Sequence, residues 1–453
     1  MCRLRGLLKL LAVVLTLALL AAACGDDGGT ADDADDTAAA TDDTAVAVDD
    51  PDDADDPDDA AVAAATDDTA AAVDHAEEAD SDDDAAAADD TAVAVDDGDD
   101  ADDPASMEGI LADVCPSPII VQTDWHGQAE HGPTYELLGQ DYEASNLTVR
   151  GSLVASGEVD TGVDIEIREG GAAIGWQSVI AQMYQEPDIF FGYISTDGSV
   201  GSSLDQPAVS VVSLLEINPQ MLMWNPEQFP GVERVADLPD DTDIVAFFGA
   251  EYLYWLIDQG IVDASRIDES YDGSVTRFVA EDGSFAQQGY ASSEPYIYEV
   301  ETPEYGKAVK YELLHDMGFQ TYSQNLGVRP ERLVEDRECL ERLVPIVQQA
   351  AVDYVTDGAE TNAVILDLNA TYDSGWVYSL GLAEFANSEF GRLGLIGNGP
   401  DDTIGNFDMD RVQTLIEHMI PVFANPAINI EIVEGLTAED IVTNEFIDES
   451  IGV

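Results

Sequence analysis

IIVQTDWHGQAEHGPTYELL, residues 119–138, is the stretch on which the reading of this chain turns. It opens with an apolar run, Ile119-Ile120-Val121, of the length of a buried strand. It turns polar at Thr123-Asp124 and continues through Trp125, His126, Glu130 and His131 to Gly132-Pro133. Proline suits a first helical position, where its missing N–H would be unpaired anyway. The pattern is strand, polar loop, helix start. In an open α/β sheet, the space beyond the carboxyl end of a strand is where ligands bind. An aromatic ring, two histidines and two carboxylates in one loop make it a candidate ligand loop, against the plainer alternative of an ordinary strand cap.

Upstream, the composition changes twice. Residues 1–23 carry Arg3, Arg5 and Lys9, then an apolar run, then Ala21-Ala22-Ala23 before Cys24. That is the pattern of an export signal. The Ala-Ala-Ala-Cys ending resembles a bacterial lipoprotein cleavage site, which implies Cys24 as a lipidated N-terminus; an ordinary signal peptide or an uncleaved anchor is the alternative. Residues 24–114 form an acidic Asp/Ala-rich segment that cannot bury enough apolar surface to offset its ordering entropy. It is expected to be a disordered tether. The chain has 16 Lys+Arg against 94 Asp+Glu and a formal charge of −78. Such a polyanion is not expected to bind nucleic acid. Beyond the tether, Lys307 and Lys310 are the only lysines.

Of four cysteines, Cys2 leaves with the signal and Cys24 takes the lipid. Cys115 and Cys339 remain, and in an oxidising compartment such a pair is expected as a disulfide.

Downstream, strand and helix patterns alternate. Residues 163–167 and 188–195 read as strands, with a helix over 172–186 that puts Trp176 and Met183 on an apolar face. Residues 207–216 and 244–248 also read as strands, and 249–260 as a helix. Helical patterns follow at 305–317, at 335–354 with a kink at Pro345, and at 408–423 with Asp408 as N-cap. This order predicts an α/β protein with mixed, mostly parallel sheets flanked by helices.

Four motifs, DWHGQAEHGPTY, VERVADLP, QQGYASSEPYIYE and IGNFDMDRV, occur in an order and spacing that resembles the solute-binding proteins of ABC importers. The likeness is to the branch for nitrate, sulfonate, taurine and thiamine-pyrimidine precursors. The resemblance implies a two-lobed periplasmic-binding-protein type 2 fold with a ligand cleft between the lobes. Lobe one would hold 115–222 and 297–453, and lobe two 223–296, with crossings near 222–224 and 295–298. It also implies a lipid-anchored monomer on the extracytoplasmic face of the cell membrane, working with a permease and its ATPase. No enzyme activity, cofactor or metal is expected. An enzyme akin to the thiamine-pyrimidine synthase, or a surface lipoprotein without transport role, are the alternatives of another class.

The candidate ligand residues are Asp124, Trp125, His131, Tyr135, Glu169, Tyr193, Phe248, Glu294 and Tyr296. Tyr193 and Ser195 end a strand and are the weaker cleft candidates. Glu169-Gly170-Gly171 ends a strand where backbone can approach a ligand closely. His131 has a helix-capping alternative, and Glu294 one of pairing with a hinge amide. The loops offer acids and aromatics and almost no cations. The expected ligand is therefore an amino-heteroaromatic molecule stacking on Trp125, such as a thiamine pyrimidine precursor. A sulfonate, taurine or nitrate-like anion held by helix N-termini is the runner-up.

Overall fold

The computed structural model describes residues 107–426 and 428–453. The leader, Cys24 and nearly all of the acidic tether lie outside the described residues.

The first sheet is built from β1 (Ile119–Gln122), β2 (Glu143–Ser145), β3 (Thr148–Ala155), β4 (Val159–Arg168), β5 (Phe191–Ile194), β6 (Val209–Ser213) and β12 (Asn325–Val328). Their order is β2-β3-β4-β1-β5-β12-β6. β1 runs parallel to β4 and β5, with Val121 opposite both Ile167 and Phe191. The late strand β12 is inserted antiparallel between β5 and β6. The second sheet is built from β7 (Gln220–Trp224), β8 (Ile244–Val245), β9 (Ile267–Asp268), β10 (Ala286–Tyr290) and β11 (Lys310–Leu313), in the order β11-β7-β10-β8-β9. The two mixed sheets, each flanked by helices, give an α/β architecture in two lobes.

Alternation along β7 shows why both faces of the second sheet are covered. Leu222 and Trp224 pack with the helices Glu251–Asp258 and Met409–Phe423. Met221 and Met223 turn to the other face, against Phe278 and Tyr298. Successive strand side chains point to opposite faces, and each fully buried apolar side chain contributes about 1.5–3 kcal/mol. On the first sheet the main core joins Ile119, Val121 and Ile165 to the helices Arg337–Asp357 and Leu380–Leu393. Cys339, on the first of these helices, is bonded to Cys115.

Several local expectations are corrected. No single helix covers 172–186. A short 3-10 turn, Gly171–Ile174, is followed by the helix Val179–Gln185, which starts late because Ser178 caps it by accepting from the Ala181 amide. Trp176 falls in the gap with φ +64° and is 66 % exposed, so it does not share the buried face of Met183. The segment 305–317 is not one helix. Lys310–Leu313 pairs antiparallel with β7, and only Leu314–Met317 is helical. The chain passes between sheets at 214–219 and 314–324, so the second sheet's strands extend past both ends of the expected 223–296 interval. The Glu-Pro turn at 294–296 does touch the first lobe, through Tyr296 against Phe385, but the chain then adds β11 to the second sheet. Pro345 lies inside a continuous helix, Arg337–Asp357. Asp408 caps the helix Met409–Phe423 by accepting from the Asp410 and Arg411 amides.

Candidate functional site

The loop after β1 folds back on itself through buried polar pairs. Glu169, at the end of β4 and only 2 % exposed, accepts from Gly127 N at 3.2 Å and meets His126 Nδ1 at 2.8 Å. With both oxygens engaged, it shapes the loop from behind. Gly170 lets the backbone close up: a Cβ there would lie 2.2 Å from the Thr123 carbonyl oxygen. The same folding presents Asp124. Its Oδ1 is 2.8 Å from His131 Nε2, and its Oδ2 accepts from Gln324 Nε2 at 2.7 Å. A carboxylate accepts, so His131 carries its proton on Nε2. His131 is fully buried, edge-on to the Tyr193 ring at 4.7 Å, and Tyr193 exchanges a hydrogen bond of 2.6 Å with Thr134.

In front of Asp124 lies a cavity of about 270 Å³. Its wall takes Tyr193 and Ser195 from the end of β5, Gln220 from the start of β7, Tyr290 from the end of β10, and Thr321 and Gln324 from the returning segment. It therefore opens between the two sheets, at both places where the chain passes from one to the other. Asp124 and Asp197 are the only charged residues on the wall. Asp197 accepts from Thr321 Oγ1 at 2.6 Å. Among the described residues, neither carboxylate is paired with a lysine or arginine.

More acids stand behind the wall. Glu130, 2 % exposed, accepts from Ser292 Oγ, while its Oε2 is buried without a partner. Burial, only partly offset by that hydrogen bond, pushes its carboxyl pKa above the usual carboxylate range. Glu294 accepts from the Tyr290 amide at 2.6 Å, and burial pushes it up to about 7, with the charge of Glu130 adding to the rise. Glu251, at the start of the helix Glu251–Asp258, is also pushed up to about 7, by burial and then by the charge of Asp197. The Tyr290 phenol is raised by burial and then by the surrounding carboxylates, so it stays a neutral donor. The wall thus carries two carboxylates with no lysine or arginine beside them among the described residues.

The candidate residues separate accordingly. Asp124 and Tyr193 reach the cavity wall, and Ser195 with them. His131 and Glu294 sit one layer behind, holding Asp124 and the Tyr290 backbone. Glu169 and Tyr135 are buried in the support of the loop. Trp125 is not on the wall: its ring packs at 5.3 Å from Trp176 and 6.1 Å from Trp376, and His126 stacks on Trp376 at 5.3 Å. Phe248 is 83 % exposed and away from the wall, and Tyr296 packs on Phe385. Asp197, Tyr290, Thr321 and Gln324 were not anticipated. Asp197 had a local signal, since Ser195-Thr196-Asp197-Gly198 follows a strand and opens the helix Thr196–Ser202. Gln324 had none.

No family model matches the sequence. No curated protein matches it either. Solved structures do resemble it. The ligand-binding component of an ABC-type import system from Staphylococcus aureus, with zinc bound, is 10 % identical over 72 % of this chain and 97 % of that one, with a TM-score of 0.44. The alkanesulfonate-binding protein SsuA from Xanthomonas axonopodis pv. citri, bound to MOPS, is 8 % identical over 73 % and 99 %, with a TM-score of 0.44. The nitrate-binding protein NrtA from Synechocystis PCC 6803 is 11 % identical over 72 % and 87 %, with a TM-score of 0.42. At such identity the ligands of those proteins say nothing about the ligand of this one.

Proposed function

We propose that this protein is an extracytoplasmic solute-binding protein that captures a small amine-bearing cation between its lobes and delivers it to an ABC importer. The observation that carries the reading is the cavity at the two inter-sheet passages, with Asp124 and Asp197 as its only charged wall residues. An anion there would meet two carboxylates with no lysine or arginine beside them among the described residues, whereas a cation replaces lost hydration with charge-assisted hydrogen bonds. Tyr193 and Tyr290 are the aromatic side chains of the wall, so a ring in the ligand meets tyrosine rather than Trp125. An aminopyrimidine such as a thiamine precursor has the required chemistry: a flat ring with N–H donors. Attachment to the membrane through lipid on Cys24, with residues 24–114 as spacer, belongs to the same proposal and rests on the Ala-Ala-Ala-Cys sequence. In it, residues 115–222, 223–296 and 297–453 remain the working division into lobes, adjusted at the sheet passages.

The runner-up is a sulfonate, taurine or nitrate-like anion. What favours it is that the short helices Val179–Gln185 and Thr196–Ser202 begin at the cavity wall. Against it, Ser178 and Ser195 already accept from the first-turn amides Ala181 N and Gly198 N.

Mass spectrometry of small molecules released from the purified protein, followed by calorimetry with aminopyrimidines, taurine and nitrate, tests the reading. Binding of aminopyrimidines that is lost in Asp124→Asn supports it. Tight binding of nitrate, unaffected by Asp124→Asn, overturns it.

A further inference from the structure

Gln324 lies on the returning segment, one residue before β12, with φ +56°. Residues other than glycine seldom adopt this left-handed conformation, and such outliers gather at ligand sites. Its side chain reaches across 200 positions of sequence to Asp124. That contact fixes which way the amide points. Asp124 Oδ2, a carboxylate oxygen, accepts, so the NH₂ end of Gln324 must face it and the carbonyl oxygen must face away. The carbonyl oxygen Oε1 is buried and accepts no hydrogen bond among the described residues. The hydroxyl of the neighbouring Ser323 is likewise buried without a partner, and both residues belong to the cavity wall.

The wall residues of one corner thus carry a carboxylate, an amide carbonyl and a hydroxyl, the last two buried and unpartnered among the described residues, with the protein's own donors at Asp124 already spent. His131 Nε2 occupies one oxygen of Asp124 and Gln324 Nε2 the other. What such a corner lacks is N–H groups together with positive charge. A quaternary ammonium supplies the charge alone; an amidinium, guanidinium or aminopyrimidinium supplies both.

We infer that Gln324 is a specificity-determining residue of the cleft, which holds Asp124 in place for a cation and selects cations bearing N–H groups over those without. The inference rests on the cation-binding reading above and narrows its ligand class. It also places the selecting residue on the segment that passes from the second sheet back to the first.

Calorimetry on the full chain with three probes of similar size tests it: benzamidinium, benzyltrimethylammonium and benzenesulfonate. The wild type is expected to bind benzamidinium at least about tenfold more tightly than benzyltrimethylammonium, as for one charge-assisted hydrogen-bonded contact. Gln324→Met, which keeps length but not the amide, is expected to bring the two cations within about threefold of each other by weakening benzamidinium alone. An unchanged ratio in that variant overturns the inference and leaves the cation reading standing. Gln324→Glu is the isosteric second variant. Two facing carboxyls share a proton, so its benzamidinium binding should strengthen between pH 6 and pH 8 more steeply than that of the wild type; a wild-type pH profile overturns the inference. Preference for benzenesulfonate, or no binding of either cation, overturns the cation reading itself and this inference with it.

Discussion

Ser292 and Glu130, 162 positions apart in sequence, are joined by a buried hydrogen bond from the serine hydroxyl to the glutamate. Ser292 follows the last residues of β10 in the second sheet, and Glu130 lies in the loop after β1 of the first. The bond thus fastens the second lobe to the ligand loop from behind the cavity. It is also the only side-chain hydrogen bond to Glu130 among the described residues.

Removing that hydroxyl leaves a buried carboxyl without a side-chain donor. Ser292→Ala should therefore lower unfolding stability by about 1–3 kcal/mol. Urea denaturation of the purified protein measures it. Ser292→Thr, which keeps the hydroxyl, should recover part of the loss, and equal stability of wild type and alanine variant would contradict this account.

Glu294 gives a pH test whose sign is fixed. Its folded value, about 7, lies above the ordinary 4.5. The folded state therefore holds its proton more tightly than the unfolded chain between those values. Stability falls as pH rises through that window and levels off above it. Glu294→Gln keeps an oxygen for the Tyr290 amide and removes the charge. Its melting temperature relative to wild type should rise from pH 5 to pH 8. A difference that stays flat across this range would show that Glu294 is not held protonated by its surroundings.

Gly170 and Gly175 separate close approach from backbone conformation. A Cβ at Gly170 would lie 2.2 Å from the Thr123 carbonyl oxygen and 2.5 Å from the Asp124 carbonyl carbon, so the ligand loop must shift. Gly170→Ala should cost about 1–3 kcal/mol or more and weaken ligand binding. At Gly175, φ is +67° but nothing lies within 4 Å of the added atom. Gly175→Ala should cost about 1–2 kcal/mol through backbone strain and leave binding intact. Equal binding losses in the two variants would refute the distinction.

The bond between Cys115 and Cys339 closes a loop of 224 positions. Chain-entropy bookkeeping for a loop of that length gives a stabilisation of about 5 kcal/mol. Reducing it, or Cys339→Ser, should lower the denaturation midpoint substantially without changing the cleft residues. Thiol labelling of unreduced, denatured protein should find neither cysteine free.

The legible parts of the sequence were those whose signal is local. The run at 119–121 announces β1, the following polar residues place Asp124, and Asp408 announces a helix start that its side chain indeed caps. Lys310–Leu313 was misread because its strand character comes from pairing with Trp224 to Met221, not from its own pattern. Trp176 was placed on a helix because its spacing from Met183 is helical; the left-handed turn at Gly175 and Trp176 interrupts that spacing. The site was half legible for the same reason. Asp124 and Tyr193 close strands, whereas Gln324 matters only through a partner 200 positions away. Trp125 had the right chemistry for a ligand wall, but other indoles already occupy its ring.

The insertion of β12 between β5 and β6 sets an order of events for a chain made from its amino end. Strands β5 and β6, buried throughout in the finished molecule, have no neighbour on their facing edges until residues 325–328 have been made. All five strands of the second sheet, by contrast, come from 220–313 and are complete before then. The sheet begun first is sealed last, after the strands of the second sheet are complete, while the helix Met409–Phe423 that covers Leu222 and Trp224 comes later still. Until β12 pairs, the nascent protein carries two open apolar strand edges, a known route to pairing with the wrong chain.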